Sequence, residues 1–396
     1  MTATNDAVNV LDPDFYVDPS DAYRWLRDEA PAFWDPVQKI WVISRYDDIV
    51  AVEKDGGRYS SASGSRPHID LRADRSMINL DDPDHQAQRN VVARQFTPRR
   101  VRDHEAHVRE LVTEILDAVA PLGECEAIEA IASRLPAMMI GELLGYPPEM
   151  WEDVRRWSEQ VMHLAGQTSA AGPPYESHPD MVSVITNFYE LTVPIVMARQ
   201  AEPSDDLIST WIHQEGWDLQ HVMDEVILLL NGGAETTRTV IGTMIHDLAI
   251  RPGQRALLLE RPELFTDGAV DEFIRWVSPV LNMSRTATED HELHSEHIKE
   301  GDELLLLYAA ANRDPRAFDD PDTLDVARTH TRHVAFGFGT HFCLGAHLAR
   351  LEIRVMFEEL LRRMPDWSLV DPTEPQILPA TFARAYDQIR INFTPT

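Results

Sequence analysis

From Trp217 to Ile250 the chain runs without a proline, and its apolar residues recur at helical spacing throughout. A helix of some thirty residues is about 50 Å long at a rise of about 1.5 Å per residue. So long an element must cross the body of the domain. Gly232-Gly233 stands near its middle, where each glycine costs about 1 kcal/mol relative to alanine. A local gain must offset that cost. Shorter helices are predicted over Asp21 to Arg27, Tyr46 to Val52 and Asp267 to Val277. Asp84 to Val112 is helical in pattern with a break near Thr97-Pro98, and three or four more helices follow to Arg199, broken at Gly172 to Pro174. Lys39 to Ser44, Leu304 to Leu307 and Ile389 to Phe393 read as strands, and Gly56 to Arg75 as a loop. The fold class is mainly α with small β-sheets.

A chain of 396 residues could hold two or three domains. It contains no linker-like stretch, low-complexity run or repeat of 20–50 residues, so a single domain over 1–396 is expected. Cys125 and Cys343 are its only cysteines, too few for a disulfide framework and compatible with a reducing compartment. Cys125 lies between Glu124 and Glu126, which disfavour a thiolate, and reads as structural. Met1 to Asp14 has neither a basic nor an apolar region of the signal-peptide kind. Apolar runs such as Val226 to Leu230 are far too short to span a bilayer. A cytoplasmic protein without a membrane anchor is expected. The formal net charge of −30 argues against nucleic acid and anionic lipid as partners. Arginines nevertheless cluster from Arg89 to Arg109 and again from Arg350 to Arg363.

The run Phe336-Gly337-Phe338-Gly339-Thr340-His341-Phe342-Cys343-Leu344-Gly345 places a cysteine on a glycine-bounded turn before an amphipathic segment that begins at Ala346. The positive end of a helix favours an anion, so the Cys343 thiol should ionise more easily than a free one. Gly337, Gly339 and Gly345 would let a flat partner approach the backbone. The arrangement suits a thiolate offered to a metal in a large planar cofactor; the plainer alternative is a buried free cysteine. His291, His294 and His297, with Glu292 and Glu296, have the composition of a metal site. No helix or strand pattern fixes them, however, and they read as a polar loop.

The ten residues from Phe336 resemble the cysteine-ligand loop of the cytochrome P-450 family, the haem-thiolate monooxygenases. The pattern Phe-Gly-x-Gly-x-His/Arg-x-Cys-x-Gly is filled by Phe336, Gly337, Gly339, His341, Cys343 and Gly345. Gly232-Gly233-Ala234-Glu235-Thr236-Thr237 is similar to the family's central-helix motif. Glu272-Phe273-Ile274-Arg275, with Arg328, resembles its buried structural ion pair. His85 and Arg89, which share a helix face at i and i+4, match its propionate-binding helix, and Arg285 and His341 match further propionate donors. The resemblance covers nearly the whole chain and implies a haem b whose iron is held by Cys343. Glu235 and Thr236 would be the catalytic pair that delivers protons during O2 reduction, with a local opening of the helix at the glycines to admit water. Thr236 could equally bond a carbonyl one turn back.

No flavin or iron–sulfur signature is present, and Gly-x-Gly-x-x-Gly is absent. Electrons are therefore expected from a separate ferredoxin and its reductase, docking as an acidic partner on the arginine-rich cysteine side of a monomer. By the family's layout the substrate pocket would be lined by residues 69–78, 157–164, 229–233 and 280–283 and by Phe382, with Asn231 and Asn282 orienting the ligand. Pro279 to Met283 looks like the corresponding stretch of actinobacterial members acting on sterol side chains and branched lipids. That favours a steroid or other long lipid, with polyketides, terpenoids and fatty acids left open. A peroxygenase would not need the acid–threonine pair. A non-catalytic haem sensor would need a signalling module, and none is evident.

Overall fold

The computed structural model describes residues 8–69, 71–166, 179–329 and 331–396. The proline-free stretch is one helix, Leu219–Ile250, of 32 residues. It starts where the Asp218 carboxylate accepts the His221 N–H at 2.9 Å, a side-chain cap for a donor that has no partner inside the helix. It gives way at Arg251 to a helix that opens on Pro252, a residue suited to a first turn. Side chains are buried along it from Val222 to Leu248. The helices Arg134–Leu144, Trp151–Gly166, Ala269–Val277 and Ala346–Arg363 all pack on it. A helix apolar on several faces is stable only in such a central place.

This helix is continuous across Gly232-Gly233, against the expectation of a local opening. The two glycines serve different ends. A Cβ on Gly233 would lie 2.8 Å from Cγ1 of Ile140, so its absence lets the helix Arg134–Leu144 approach closely. A Cβ on Gly232 would meet nothing within 4 Å.

A five-stranded sheet stands beside the helical body, in the order Ala32–Asp35, Ile40–Ile43, Glu303–Leu306, Met283–Ala287, Tyr59–Ser60. Ile40–Ile43 and Glu303–Leu306 are buried almost throughout and are the sheet's parallel pair, as expected for strands covered on both faces. Tyr59–Ser60 is a short edge strand within the stretch read as loop. A second sheet joins Glu124–Glu126, Arg390–Asn392 and Ser368–Leu369. The histidine-rich stretch is also a correction. It forms a hairpin, His291–Leu293 with Glu296–Ile298, whose histidines bond Tyr59 and Asp48. No metal-ligating cluster occurs among the described residues. The break at Gly172 to Pro174 lies outside the described residues.

The Glu272–Arg275 pair is fully buried, with Arg275 Nε and Nη2 donating to the two carboxylate oxygens at 2.7 and 2.8 Å. Arg328 Nε stands 3.0 Å from the same carboxylate. Arg275 Nη1 also donates to the carbonyls of Asn312 and Pro321 at 2.8 and 2.9 Å. A buried ion pair is tolerated only when its remaining donors are satisfied in this way. The pair ties the helix Ala269–Val277 to the segment leading into the cysteine loop.

Candidate active site

The central helix, the cysteine loop and the strand Met283–Ala287 surround a cavity with about 1430 Å³ of empty space, its open mouth included. Phe336, Gly337, His341, Cys343, Leu344 and Gly345 border it from the cysteine loop. The helix Ala346–Arg363 begins three residues beyond the cysteine, and the Cys343 N–H is held by the Phe336 carbonyl at 2.8 Å.

Burial pushes the Cys343 thiol above its ordinary range, although the N–H groups of Gly345 and Ala346 and the guanidinium groups of Arg89 and Arg350 all favour the thiolate. The helix-end N–H groups and the two arginines favour the thiolate, as the sequence suggested, but burial opposes them more strongly. Of the three loop glycines, only Gly345 faces open space. Gly337 and Gly339 have φ of +65° and +67° and back onto Glu53 of the helix Tyr46–Lys54. Their role is the turn and its packing.

His85, Arg89, Arg285 and His341 border the same cavity. The helix Asp84–Val92 presents the first two, and the rings of His85 and His341 lie 4.1 Å apart. Nε2 of His85 is buried with no partner. Burial, reinforced by Arg285, His85 and Arg89, drives His341 down to about 3. Burial also lowers His85 and Arg89. Donors and cations thus converge where positive charge is already unfavourable, a place for carboxylates. Arg89 Nη2 meanwhile donates to the Phe342 carbonyl at 2.6 Å, and Arg285 Nη2 to Glu53 at 2.9 Å.

The central helix contributes Leu228, Leu229, Gly232, Gly233, Thr236, Thr237 and Val240. The Thr236 hydroxyl donates to the Gly232 carbonyl at 2.8 Å. Its proton is thereby engaged, and its lone pairs remain to accept. Glu235 is not among the described residues that border the cavity. Its carboxylate accepts from Arg238 at 2.6 Å, and Arg238 donates onward to half-exposed Glu159 at 2.9 Å. Burial raises the Glu235 carboxyl against the pull of Arg238, and its Oε1 has no partner.

Cys343, flanked by groups that favour its thiolate, shares one cavity with Arg89, Arg285, His85 and His341, side chains that can donate to carboxylates. A group that pairs a metal for the thiolate with carboxylates for these donors suits the lining. Haem fits these residues. The architecture and site together define a thiolate-ligated haem protein. The cytochrome P450 family model matches residues 264–389. The steroid C26-monooxygenase of Mycobacterium tuberculosis is 36% identical over 405 residues, covering 100% of this chain and 99% of that protein. The linalool 8-monooxygenase of Pseudomonas putida is 32% identical, covering 91% and 93%. CYP268A2 of Mycobacterium marinum, solved with pseudoionone, superposes with a TM-score of 0.87 at 30% identity, covering 96% of this chain and 97% of that one. CYP109E1 of Bacillus megaterium, solved with testosterone, superposes with a TM-score of 0.84 at 27% identity, covering 96% and 99%. The chain belongs to the cytochrome P450 family and is a haem-thiolate monooxygenase of a hydrophobic substrate.

The expected pocket lining is right in part. Met77, Ile78, Leu229, Gly232, Gly233, Val280 and Met283 border the cavity. Trp157 instead packs on Phe188 at 4.4 Å and donates to the Val184 carbonyl; the side chains of His163 and Leu164 lie outside the described residues. Phe382 is covered by the Arg66 guanidinium at 4.0 Å. The Asn282 amide donates to the Tyr16 hydroxyl at 3.0 Å and the Thr381 carbonyl at 2.7 Å. It therefore fastens the chain rather than a ligand. Asn231 is not among the described lining residues either.

Two carboxylates on the cavity went unnoticed in the sequence. Glu53 reads as a solvated charge near a helix end. Glu352 carried a signal, since it lies at helical spacing between buried Leu348 and Met356. Burial pushes Glu352 up to about 8.

Proposed function

We propose that this chain hydroxylates a steroid or a similarly long apolar lipid. The observation that carries the reading is the ligand-facing wall. Met77, Ile78, Leu228, Leu229, Val280 and Met283 offer apolar surface, and beyond Cys343 and the arginine–histidine edge the polar lining is Thr236 and Thr237 with Glu53, Tyr308 and Glu352. At about 25 cal/mol per Å² of buried apolar surface, a sterol-sized hydrocarbon binds such a wall with few polar contacts, after the costs of association. The names of the steroid C26-monooxygenases support the same substrate class.

In this reading Cys343 ligates the haem iron, with Phe336, Gly337 and Gly345 shaping the loop around it. His85, Arg89, Arg285 and His341 hold the haem carboxylates. When bound, the haem supplies the activation of O2 and the insertion of one oxygen atom into a C–H bond, the other leaving as water with two electrons and two protons. Thr236 holds a water through its free lone pairs. Glu235 is held away from the cavity by Arg238, which also binds Glu159, so it delivers protons to that water only when its carboxylate turns from Arg238 toward Thr236. A ferredoxin, reduced by its reductase, brings the electrons to a monomeric, single-domain enzyme. The two unpaired cysteines suit a reducing cytoplasm. No helix among the described residues is long and apolar enough to cross a membrane.

The test is optical. The reduced carbon monoxide complex should show the long-wavelength band of thiolate-ligated haem and lose it in Cys343→Ala. Sterol-derived ketones should displace the water on the ferric iron and move the Soret band to shorter wavelength. If a macrolide or small terpenoid shifts the band while saturating sterol ketones do not, the lipid assignment is wrong.

A further inference from the structure

Glu53 stands at the junction of three segments that the haem site needs. Its side chain is 1% exposed and it borders the cavity. Oε1 accepts Arg285 Nη2 at 2.9 Å and also the Tyr308 hydroxyl. Oε2 accepts the N–H of Phe338, inside the cysteine loop. A Cβ on Gly337 would come to 3.0 Å from Oε2, and one on Gly339 would strike the Glu53 backbone carbonyl. The carboxylate therefore passes into the loop at Gly337, and the helix backbone behind it packs on Gly339. Arg285 and a backbone N–H can only donate, and with the Tyr308 hydroxyl they favour the ionised form against the burial that raises this carboxyl. One end of Arg285 is taken by Glu53, and Nη1 donates to the Ser284 carbonyl at 2.7 Å. The guanidinium is held on two sides while it still borders the cavity.

We propose that Glu53 is a positioning residue for the haem, holding the Arg285 guanidinium and the cysteine loop in one fixed relation and placing a negative charge beside the carboxylate-binding edge. The proposal rests on Cys343 as the iron ligand and Arg285 as a carboxylate donor. Partners one shell outside a metal group commonly set its retention. A fixed negative charge beside the site also favours the more oxidised, more positive iron.

The experiment compares the ferric wild-type protein with Glu53→Gln, Glu53→Ala, Arg285→Ala and the double variant Glu53→Ala/Arg285→Ala. Haem transfer to excess apomyoglobin and the midpoint potential of the iron couple are measured. Haem loss should be about 10- to 100-fold faster in Glu53→Ala. The double variant should lose haem no faster than the worse single variant, because both act through one contact. Glu53→Gln keeps the volume and removes the charge, so its potential should move positive. Wild-type haem retention and potential in Glu53→Gln would overturn the proposal, as would rates that multiply in the double variant. Should Glu53→Ala not fold, the isosteric Glu53→Gln decides on both readouts. A wild-type protein without the thiolate carbon monoxide band would instead overturn the ligand assignment, which separates the two failures.

Discussion

Single residues divide here by what surrounds them. Cys125 and Cys343 are both thiols outside any disulfide, yet burial with Glu126 and Glu124 pushes Cys125 up to about 12. At pH 8 such a thiol stays overwhelmingly protonated and unreactive. The holoenzyme should therefore resist iodoacetamide at that pH, and unfolding should expose two reactive thiols per chain. One rapidly alkylated cysteine in the folded holoenzyme would contradict it. Thr236 makes the backward bond to Gly232 that such residues often make in helices, and it still borders the cavity. Thr236→Ala should keep haem and substrate binding. NAD(P)H consumption should continue, with product per electron falling and peroxide rising, as a loss of positioned proton delivery implies. Unchanged coupling would remove Thr236 from proton delivery.

Among the elements, the central helix shows how two identical residues come to differ. Gly233→Ala pushes a methyl group onto Ile140 at 2.8 Å and should cost about 1–3 kcal/mol, as overpacking does. Trimming the neighbour with Ile140→Ala should recover part of that loss in urea unfolding. Gly232→Ala has open space, and the better helix former should stabilise the protein by about 0.5–1 kcal/mol while narrowing the cavity. If Gly233→Ala proves the more stable of the two, the assignment of the glycines is reversed. The helix and its motif were legible in the sequence because periodicity and spacing are local. Which glycine meets a neighbour was not, because Ile140 approaches from a helix some ninety residues earlier.

Over the whole molecule, charge is the feature that tertiary structure rearranges most. The arginines that stand out in the sequence are largely paired. Arg109 meets Glu105, Glu358 and Glu359, Arg354 meets Glu105 and Glu358, Arg350 meets Asp271, and Arg363 meets Asp117. The pairs of Arg109 with Glu358 and Glu359, Arg354 with Glu105 and Arg363 with Asp117 join the helix Glu105–Val119 to the helix Ala346–Arg363, Arg350–Asp271 ties the latter to the helix Ala269–Val277, and together they leave less free charge than a count suggests. Among the described residues, exposed Arg94, Arg99 and Arg102 enter no ion pair. They lie on or beside the short helix Pro98–Asp103, which packs on the helix after the cysteine. A ferredoxin steered by this face would be held by these three. Changing all three to glutamate should slow reduction by an acidic ferredoxin at low salt, and the difference should shrink as salt screens it. Equal rates at low ionic strength would move the docking face elsewhere.

The cysteine loop, the central-helix motif, the acid–arginine pair and the mainly helical class could all be read from the chain alone. Each is a contiguous signal, and each reflects chemistry or periodicity that acts within a few residues. The tertiary structure decided what lies between segments. Asn282 reaches Tyr16 across 266 positions, Arg285 finds Glu53 across 232, and Trp157 turns to Phe188 and away from any ligand. Such partners are chosen by packing and by the need to satisfy buried polar groups, and no local pattern records that choice. The same limit applies to Cys343. The sequence placed it at a helix end that favours a thiolate, but only the folded cavity revealed how strongly burial opposes that helix.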